Sequence, residues 1–149
     1  MKKVTQLLVV IILLVFTSGC NEKENQNLKE ETKMAKVVAI INDQEYEVTL
    51  EDNQTAREFY DLLPLELQMQ ELNGNEKYYY LDENLKTNST SKDTINAGDI
   101  KLYGSNCLVL FYETFNTTYS YTDIGHISDT SFVNELPIDS VNIRFEIKE

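Results

Sequence analysis

The sequence contains no tryptophan, a single histidine, two cysteines and five glycines. One histidine excludes histidine-rich metal sites, and a Ser-His-Asp triad would depend on His126, which no serine motif accompanies. We therefore expect His126 to have a packing or hydrogen-bonding role near the end of a strand. The glycines form no phosphate-binding loop, and the acidic residues show no EF-hand spacing. No metal and no cofactor is expected.

Basic residues are also few. The chain has 13 lysines and arginines against 25 aspartates and glutamates, which gives a formal net charge of −12. Nucleic acid and anionic lipid headgroups are poor partners for such a surface, because both are negatively charged. We therefore expect no binding to nucleic acid.

The N-terminal region carries the signals of an exported protein. A positively charged start is followed by an apolar run from Leu7 to Phe16, too short for the roughly 20 residues that a membrane-spanning helix needs. Small residues and Cys20 come next, and together they resemble the lipobox of bacterial lipoproteins, although Thr17 stands where that pattern prefers leucine. The resemblance predicts that residues 1–19 are a signal peptide and that Cys20 is lipidated. The alternative is an ordinary secreted chain with a cysteine near its cleavage point.

A lipid on Cys20 would fix the location of the protein. Two acyl chains hold a soluble domain stably at a membrane, so we expect the chain on the extracytoplasmic face of the cell membrane. Residues 20–35 would form the lipidated cysteine and a disordered tether, because this segment is rich in Glu, Lys and Asn. Cys107 would then have no intramolecular partner. Its apolar setting favours a buried thiol over a reactive one.

Residues 36–149 are expected to form one domain. A hairpin is predicted first, with Val38 and Ile40 on one strand and Tyr46, Val48 and Leu50 on the next, around Asn42-Asp43-Gln44. Residues 53–63 then change to helical spacing, with Asn53 or Thr55 as the cap and Pro64 as the stop.

Short extended segments fill most of the remaining chain. They lie at Leu65 to Met69, Lys77 to Leu81, Ile100 to Tyr103, Cys107 to Tyr112, Tyr119 to Ile124 and Val141 to Ile147. Tyr78 and Tyr80 would share one face, and we interpret them as ordinary strand packing. Residues 86–93 are predicted to be a flexible loop, and residues 130–136 a helical turn. The fold class is mainly β: a small closed or nearly closed barrel with one or two short helices.

The order of these segments resembles the bacterial cyclophilin-like domains, which are small barrels with the cyclophilin fold. The resemblance runs from about Val37 to Asp129 and rests on DNQTAREFYDLLP, NGNEKYYYL, INAGDIKLYGSNCLVLFYETF and YSYTDIGHI taken together. Related domains often carry a basic residue before the Ile-Gly pair, whereas this chain has Asp123 there.

The resemblance raises the possibility of proline isomerisation. Isomerases of this fold hold the proline in an apolar slot while an arginine stabilises the twisted amide, so no nucleophile or cofactor is needed. The two arginines, Arg57 and Arg144, lie in no motif that resembles the isomerase active site. No catalytic residue can be carried over, and efficient catalysis is not expected.

We therefore expect a binding module for a peptide or small ligand, with an aromatic cleft. Candidate ligand-binding residues are Tyr103, Phe111, Tyr112, Tyr119, Tyr121, His126 and Arg57. One alternative is a divergent extracytoplasmic peptidyl-prolyl isomerase that uses Arg57 or Arg144. Another is an interaction module that docks an envelope-protein partner, which an exposed apolar patch would favour.

Overall fold

The structure is a computed structural model, and it describes residues 34–148. The predicted signal peptide, Cys20 and most of the predicted tether lie outside the described residues. The strands are β1 (Lys36–Ile41), β2 (Gln44–Leu50), β3 (Leu65–Leu72), β4 (Glu76–Tyr80), β5 (Thr90–Ser91), β6 (Thr94–Ile95), β7 (Asp99–Tyr103), β8 (Cys107–Phe111), β9 (Phe115–Asn116), β10 (Ser120–Ile127) and β11 (Val141–Lys148). The helices are α1 (Gln54–Asp61) and a 3₁₀ helix (Thr130–Glu135).

Eight antiparallel strands form a closed barrel in the order β2-β1-β11-β3-β4-β8-β7-β10, and pairing between β10 and β2 closes it. The predicted fold class is confirmed. Two further pairings lie outside this ring: β5 pairs with β10, and β6 pairs with β9. The segment 86–93, which we predicted to be a flexible loop, therefore contains a short paired strand.

Two tight turns set the register of the hairpins. Asn42 and Asp43 both have positive φ, at 48° and 65°, and Asn73 and Gly74 have φ of 58° and 72°. Two successive left-handed residues match the right-handed twist of antiparallel strands, and Asn, Asp and Gly adopt this conformation most readily. The hairpin predicted around Asn42 and Asp43 is therefore confirmed.

The core-facing residues of β1 are Val37, Ala39 and Ile41. They lie one position out of step with Val38 and Ile40, the alternating apolar residues from which the strand was predicted. The run KVVAII is apolar at nearly every position, so its periodicity does not identify the inner face. The face is instead set by pairing with β11, where Ala39 lies opposite Phe145.

The two short helices cover opposite ends of the barrel. Asn53 caps α1, since its side-chain oxygen accepts a 2.8 Å hydrogen bond from the Ala56 amide. Phe59 of α1 packs edge-on against Phe145, with ring centroids 5.4 Å apart. At the end of the barrel near the β1–β2 turn, Phe132 of the 3₁₀ helix packs against Tyr46 at 5.8 Å. Both phenylalanines are fully buried and complete the core.

A buried lysine fastens the chain beyond the 3₁₀ helix to the barrel. The Lys77 side chain is 1% exposed, and its ammonium donates to Glu71 Oε2 at 2.6 Å and to the carbonyls of Pro137 and Asp139 at 2.8 and 2.6 Å. The Tyr112 hydroxyl also donates to Glu71, at 2.8 Å. Buried charges persist when they are paired and hydrogen-bonded, as Lys77 is here. Within residues 34–148, no helix is both long and apolar enough to cross a bilayer.

Candidate functional site

Strand alternation places a set of aromatic side chains on the outer face of β4, β8, β7 and β10. Leu108 and Leu110 of β8 point into the barrel core, so Cys107, Val109 and Phe111 point outward into a second apolar cluster. Tyr80 lies opposite Cys107, which in turn lies opposite Tyr103. This register brings tyrosines from non-adjacent strands onto one surface.

The outward tyrosines contact one another through tilted and edge-to-face ring pairs. Ring centroids are 5.8 Å apart for Tyr78 and Tyr80, 6.2 Å for Tyr103 and Tyr119, and 5.6 Å for Tyr103 and Tyr121. We call these five residues, Tyr78, Tyr80, Tyr103, Tyr119 and Tyr121, the tyrosine surface. Aromatic pairs in such geometries hold each other in place and contribute beyond the area that they bury.

The tyrosine surface has an exposed upper layer and a buried lower one. Tyr80, Tyr103 and Tyr119 are 61%, 46% and 62% exposed. Beneath them Tyr121 is buried and packs edge-on against the fully buried Phe111 at 5.4 Å. Burial, followed by the negative charge of Glu76, raises the pKa of Tyr121 to about 12. Its hydroxyl is therefore neutral at physiological pH and forms part of a rigid floor.

Cys107 lies in this floor as well. The thiol is buried, as expected from its apolar neighbours. Burial raises the pKa of the Cys107 thiol, and the charge of Glu76 raises it further. A thiol with a raised pKa stays protonated, which favours packing over nucleophilic chemistry.

A row of charged residues continues the same outer face along β7 and β10. The buried Lys101 ammonium lies 2.5 Å from Asp123 and 3.3 Å from Asp99, and Lys92 also pairs with Asp123. Desolvation opposes ionisation of Asp123, but hydrogen bonds from Lys101 and Lys92 outweigh it and lower the pKa of Asp123. His126 Nδ1 lies 3.0 Å from Asp99 Oδ1. The structure thus places His126 in this ionic row.

The whole barrel corresponds to a known family. The model of the cyclophilin-like family matches residues 39–148, which is most of the chain. The chain belongs to the cyclophilin-like family. Among solved structures, the solution structure of a hypothetical protein from Archaeoglobus fulgidus matches with a TM-score of 0.56 and 19% identity, and the match covers 77% of this chain and 95% of that one. At that identity the likeness shows the fold alone. No curated protein matches the chain.

In this cyclophilin-like barrel, the predicted ligand-binding candidates do not all lie together. Tyr103, Tyr119 and Tyr121 belong to the tyrosine surface, and Phe111 packs beneath it against Tyr121. Tyr112 lies elsewhere, beside a depression of about 310 Å³ that Val133, Leu136 and Ile138 also line. Burial and the bond to Glu71 raise the pKa of Tyr112 to about 12. The hydroxyl of Tyr112 donates a hydrogen bond to Glu71 at this end of the barrel, and we interpret its role as structural.

The two arginines of this cyclophilin-like domain each pair with a carboxylate. Arg57 bonds to Asp52 on the exposed side of α1, and Arg144 Nε lies 3.1 Å from Glu146. Arg144 also lines an open groove of about 470 Å³ together with Asn42, Asp43 and Glu66; as far as the structure describes the chain, no aromatic ring lines this groove. Nor do residues 34–148 contain a cluster of three metal-ligating side chains.

Sequence reasoning missed two parts of the surface. Tyr78 and Tyr80 were interpreted as ordinary packing, but Tyr80 is largely exposed and packs edge-on against Tyr78. The signal was present, because period-two alternation already placed both on one face. Glu76, two residues earlier on that same face, is buried. No feature of the sequence singles out a buried glutamate at this position.

Proposed function

We propose that this protein is a binding module that takes a peptide or small ligand on its tyrosine surface. We further propose that it is a lipoprotein held by Cys20 at the extracytoplasmic face of the bacterial cell membrane. The observation that carries the binding proposal is the exposure of Tyr80, Tyr103 and Tyr119 above a buried aromatic floor. The apolar run before Cys20 and the resemblance to a lipobox support the proposed location.

Tyrosine side chains combine a large contact area with rigidity. A tyrosine offers roughly 150–250 Å² of contact surface and loses little conformational freedom on binding, because it has only two side-chain torsions. The mutual packing of Tyr103 with Tyr119 and Tyr121 holds the rings before a ligand arrives. Binding to a preorganised surface avoids part of the entropic cost of ordering side chains. Exposed aromatic groups of this kind mark interaction sites.

Proline isomerisation is the alternative activity. It would call for a guanidinium donor beside an apolar slot, whereas Arg57 bonds to Asp52 and Arg144 bonds to Glu146. No contact of either arginine places it against the tyrosine surface within the described residues. We therefore propose ligand binding without catalysis. The experiment below also detects isomerase activity.

The test is an NMR titration of the full chain, kept in solution with detergent, with three peptides. The peptides are acetyl-X-Phe-Pro-Ala-amide, with X as lysine, norleucine or glutamate. We expect at least one peptide to shift the amide signals of Tyr78, Tyr80 and Tyr103. Absence of shifts with all three peptides would overturn the proposal. Exchange cross-peaks of the Phe-Pro bond, recorded in the same samples, would reveal isomerase activity.

Two variants connect binding to the surface. Tyr103→Ala removes the ring that contacts both Tyr119 and Tyr121, and should weaken binding about tenfold or more, as expected for an aromatic residue at the centre of an interface. Ile138→Ala is the matched control, because Ile138 is 90% exposed but lies near the mouth of the barrel. Equal effects from the two variants would place the binding site elsewhere.

A further inference from the structure

Glu76 is a buried acid on the face that carries the tyrosine surface. It begins β4, so alternation puts it on the same side as Tyr78 and Tyr80, and it lies opposite Phe111 of β8. Only 8% of the residue is exposed. Its charge acts on two groups of the aromatic floor, since it raises the pKa of both Tyr121 and Cys107. Because Glu76 lies opposite Phe111, it lies beside the floor of the tyrosine surface.

Glu76 differs from the other buried polar residues in the described part of the chain. The Thr55 hydroxyl donates to the Lys86 carbonyl, and the Thr122 hydroxyl accepts from the Asn88 amide. Lys77 and Lys101 are both paired with carboxylates. Within residues 34–148, by contrast, no hydrogen bond or ion pair holds the Glu76 carboxylate, whose oxygens keep some contact with solvent; the fully enclosed side-chain atom without a partner there is Asn75 Oδ1.

An unpaired buried carboxylate is unfavourable. Buried charges in proteins are nearly always paired or hydrogen-bonded, because removal from water is not otherwise compensated. Desolvation raises the pKa of Glu76, and the nearby charge of Glu71 raises it further. A cation from outside the chain would supply the missing partner. The neighbouring tyrosines would favour the same cation, because the faces of aromatic rings attract positive charge.

We propose that Glu76 recognises a cationic group, a primary ammonium or guanidinium, on the ligand that binds the tyrosine surface. This inference rests on the proposed binding function and specifies the ligand class. A lysine or arginine side chain of a peptide would combine an apolar stem, which packs against tyrosine rings, with a charged end that pairs with Glu76. The acidic character of the chain, with a net charge of −12, also attracts such ligands.

The experiment uses the lysine and norleucine peptides of the same titration. The two side chains have similar length, and only lysine carries a charge. We expect the lysine peptide to bind about tenfold more tightly, as a charge-assisted hydrogen bond to a carboxylate would give. Glu76→Gln should remove this preference, so that the lysine and norleucine peptides bind the variant with equal affinity. Glu83→Gln is the control, since Glu83 is an exposed acid in the loop that follows Tyr80.

A second measurement does not depend on a variant that folds. The pKa of the Glu76 carboxyl is followed by ¹³C NMR in the free protein and with the lysine peptide bound. It should fall on binding, because an adjacent cation favours the ionised form. An unchanged pKa, or equal affinity for lysine and norleucine peptides, would overturn the role of Glu76. If Tyr103→Ala still weakened both peptides in that case, the proposed binding function would stand without it.

Discussion

Replacement of Lys77 with methionine should destabilise the protein by about 3–5 kcal/mol, the usual effect of removing one member of a buried ion pair. Methionine keeps most of the apolar stem of the lysine side chain, but it carries no charge and cannot donate a hydrogen bond. Glu71 loses its cation, and the carbonyls of Pro137 and Asp139 lose their donor. Glu71 keeps the hydrogen bonds from Tyr112 and from the Gly74 amide, so its carboxylate is not left without donors.

The assay is urea unfolding of the full chain in detergent, followed by tyrosine fluorescence. A loss of 3–5 kcal/mol is a large part of the roughly 5–15 kcal/mol that stabilises a domain of this size. Lys148→Met is the control. Lys148 pairs with Glu45 at the surface, where ion pairs contribute about 0–1 kcal/mol. If both variants lowered the free energy of unfolding by the same small amount, the contacts of Lys77 with Glu71 and with the carbonyls of Pro137 and Asp139 would not stabilise the fold as we infer.

The same cluster has a pH dependence with a defined sign. Desolvation raises the pKa of Glu71, but hydrogen bonds from Lys77, Tyr112 and the Gly74 amide outweigh it, so the pKa lies below the ordinary value of 4.5. A lowered pKa in the folded state stabilises the protein above pH 4.5, and this contribution is lost as the pH falls through the folded pKa. Lys77→Met should therefore lose less stability than wild type on acidification. A steeper decrease in the free energy of unfolding of the variant as the pH falls would contradict this explanation.

Three further predictions concern other parts of the chain. At pH 7, Glu76→Gln should be more stable than wild type by about 1.4 kcal/mol for each unit by which burial raises the pKa of Glu76, and at pH 4 this gain should be absent. The same stability difference at both pH values in urea melts would exclude a buried charge as the cause. Asn53→Ala should lose about 1 kcal/mol through the missing cap, while exposed Gln54→Ala should change stability little, as thermal melts would show. Cys20→Ala should release the protein into the soluble fraction and abolish acyl labelling; membrane retention without label would refute the lipid anchor.

Local features of the fold were predictable because they depend on neighbouring residues. The Asn42–Asp43 turn, the helix between Asn53 and Pro64, and the fully buried strand from Cys107 to Phe111 all follow from turn chemistry, capping or apolar runs. Barrel closure through β2 and β10 joins distant segments, and periodicity does not specify such pairings. A closed barrel was predicted from the number of short strands, because closure removes exposed edges, but that reasoning did not identify β2 and β10 as the strands that close it.

The candidate site was predictable only in part, for a related reason. Alternation identifies which side chains share a face of a strand, but it does not show which face is covered. Thus Tyr103 and Tyr119, both predicted as ligand-binding candidates, lie in contact, while the exposure of Tyr80 was not anticipated. Tyr112 was grouped with them because it lies in one of the segments that resemble the family, yet its hydroxyl bonds to Glu71 at the mouth of the barrel.

The position of β1 between β2 and β11 has a consequence for how the chain folds. Lys36, at the start of the domain, pairs with Lys148, at its end, so the barrel cannot close until the last strand has been synthesised. Folds dominated by such distant pairings form slowly, over about milliseconds to seconds, because a large loop must close before its contacts contribute. For a chain that is exported as we propose, this delay would keep the barrel open during passage across the membrane and postpone its completion to the outer side.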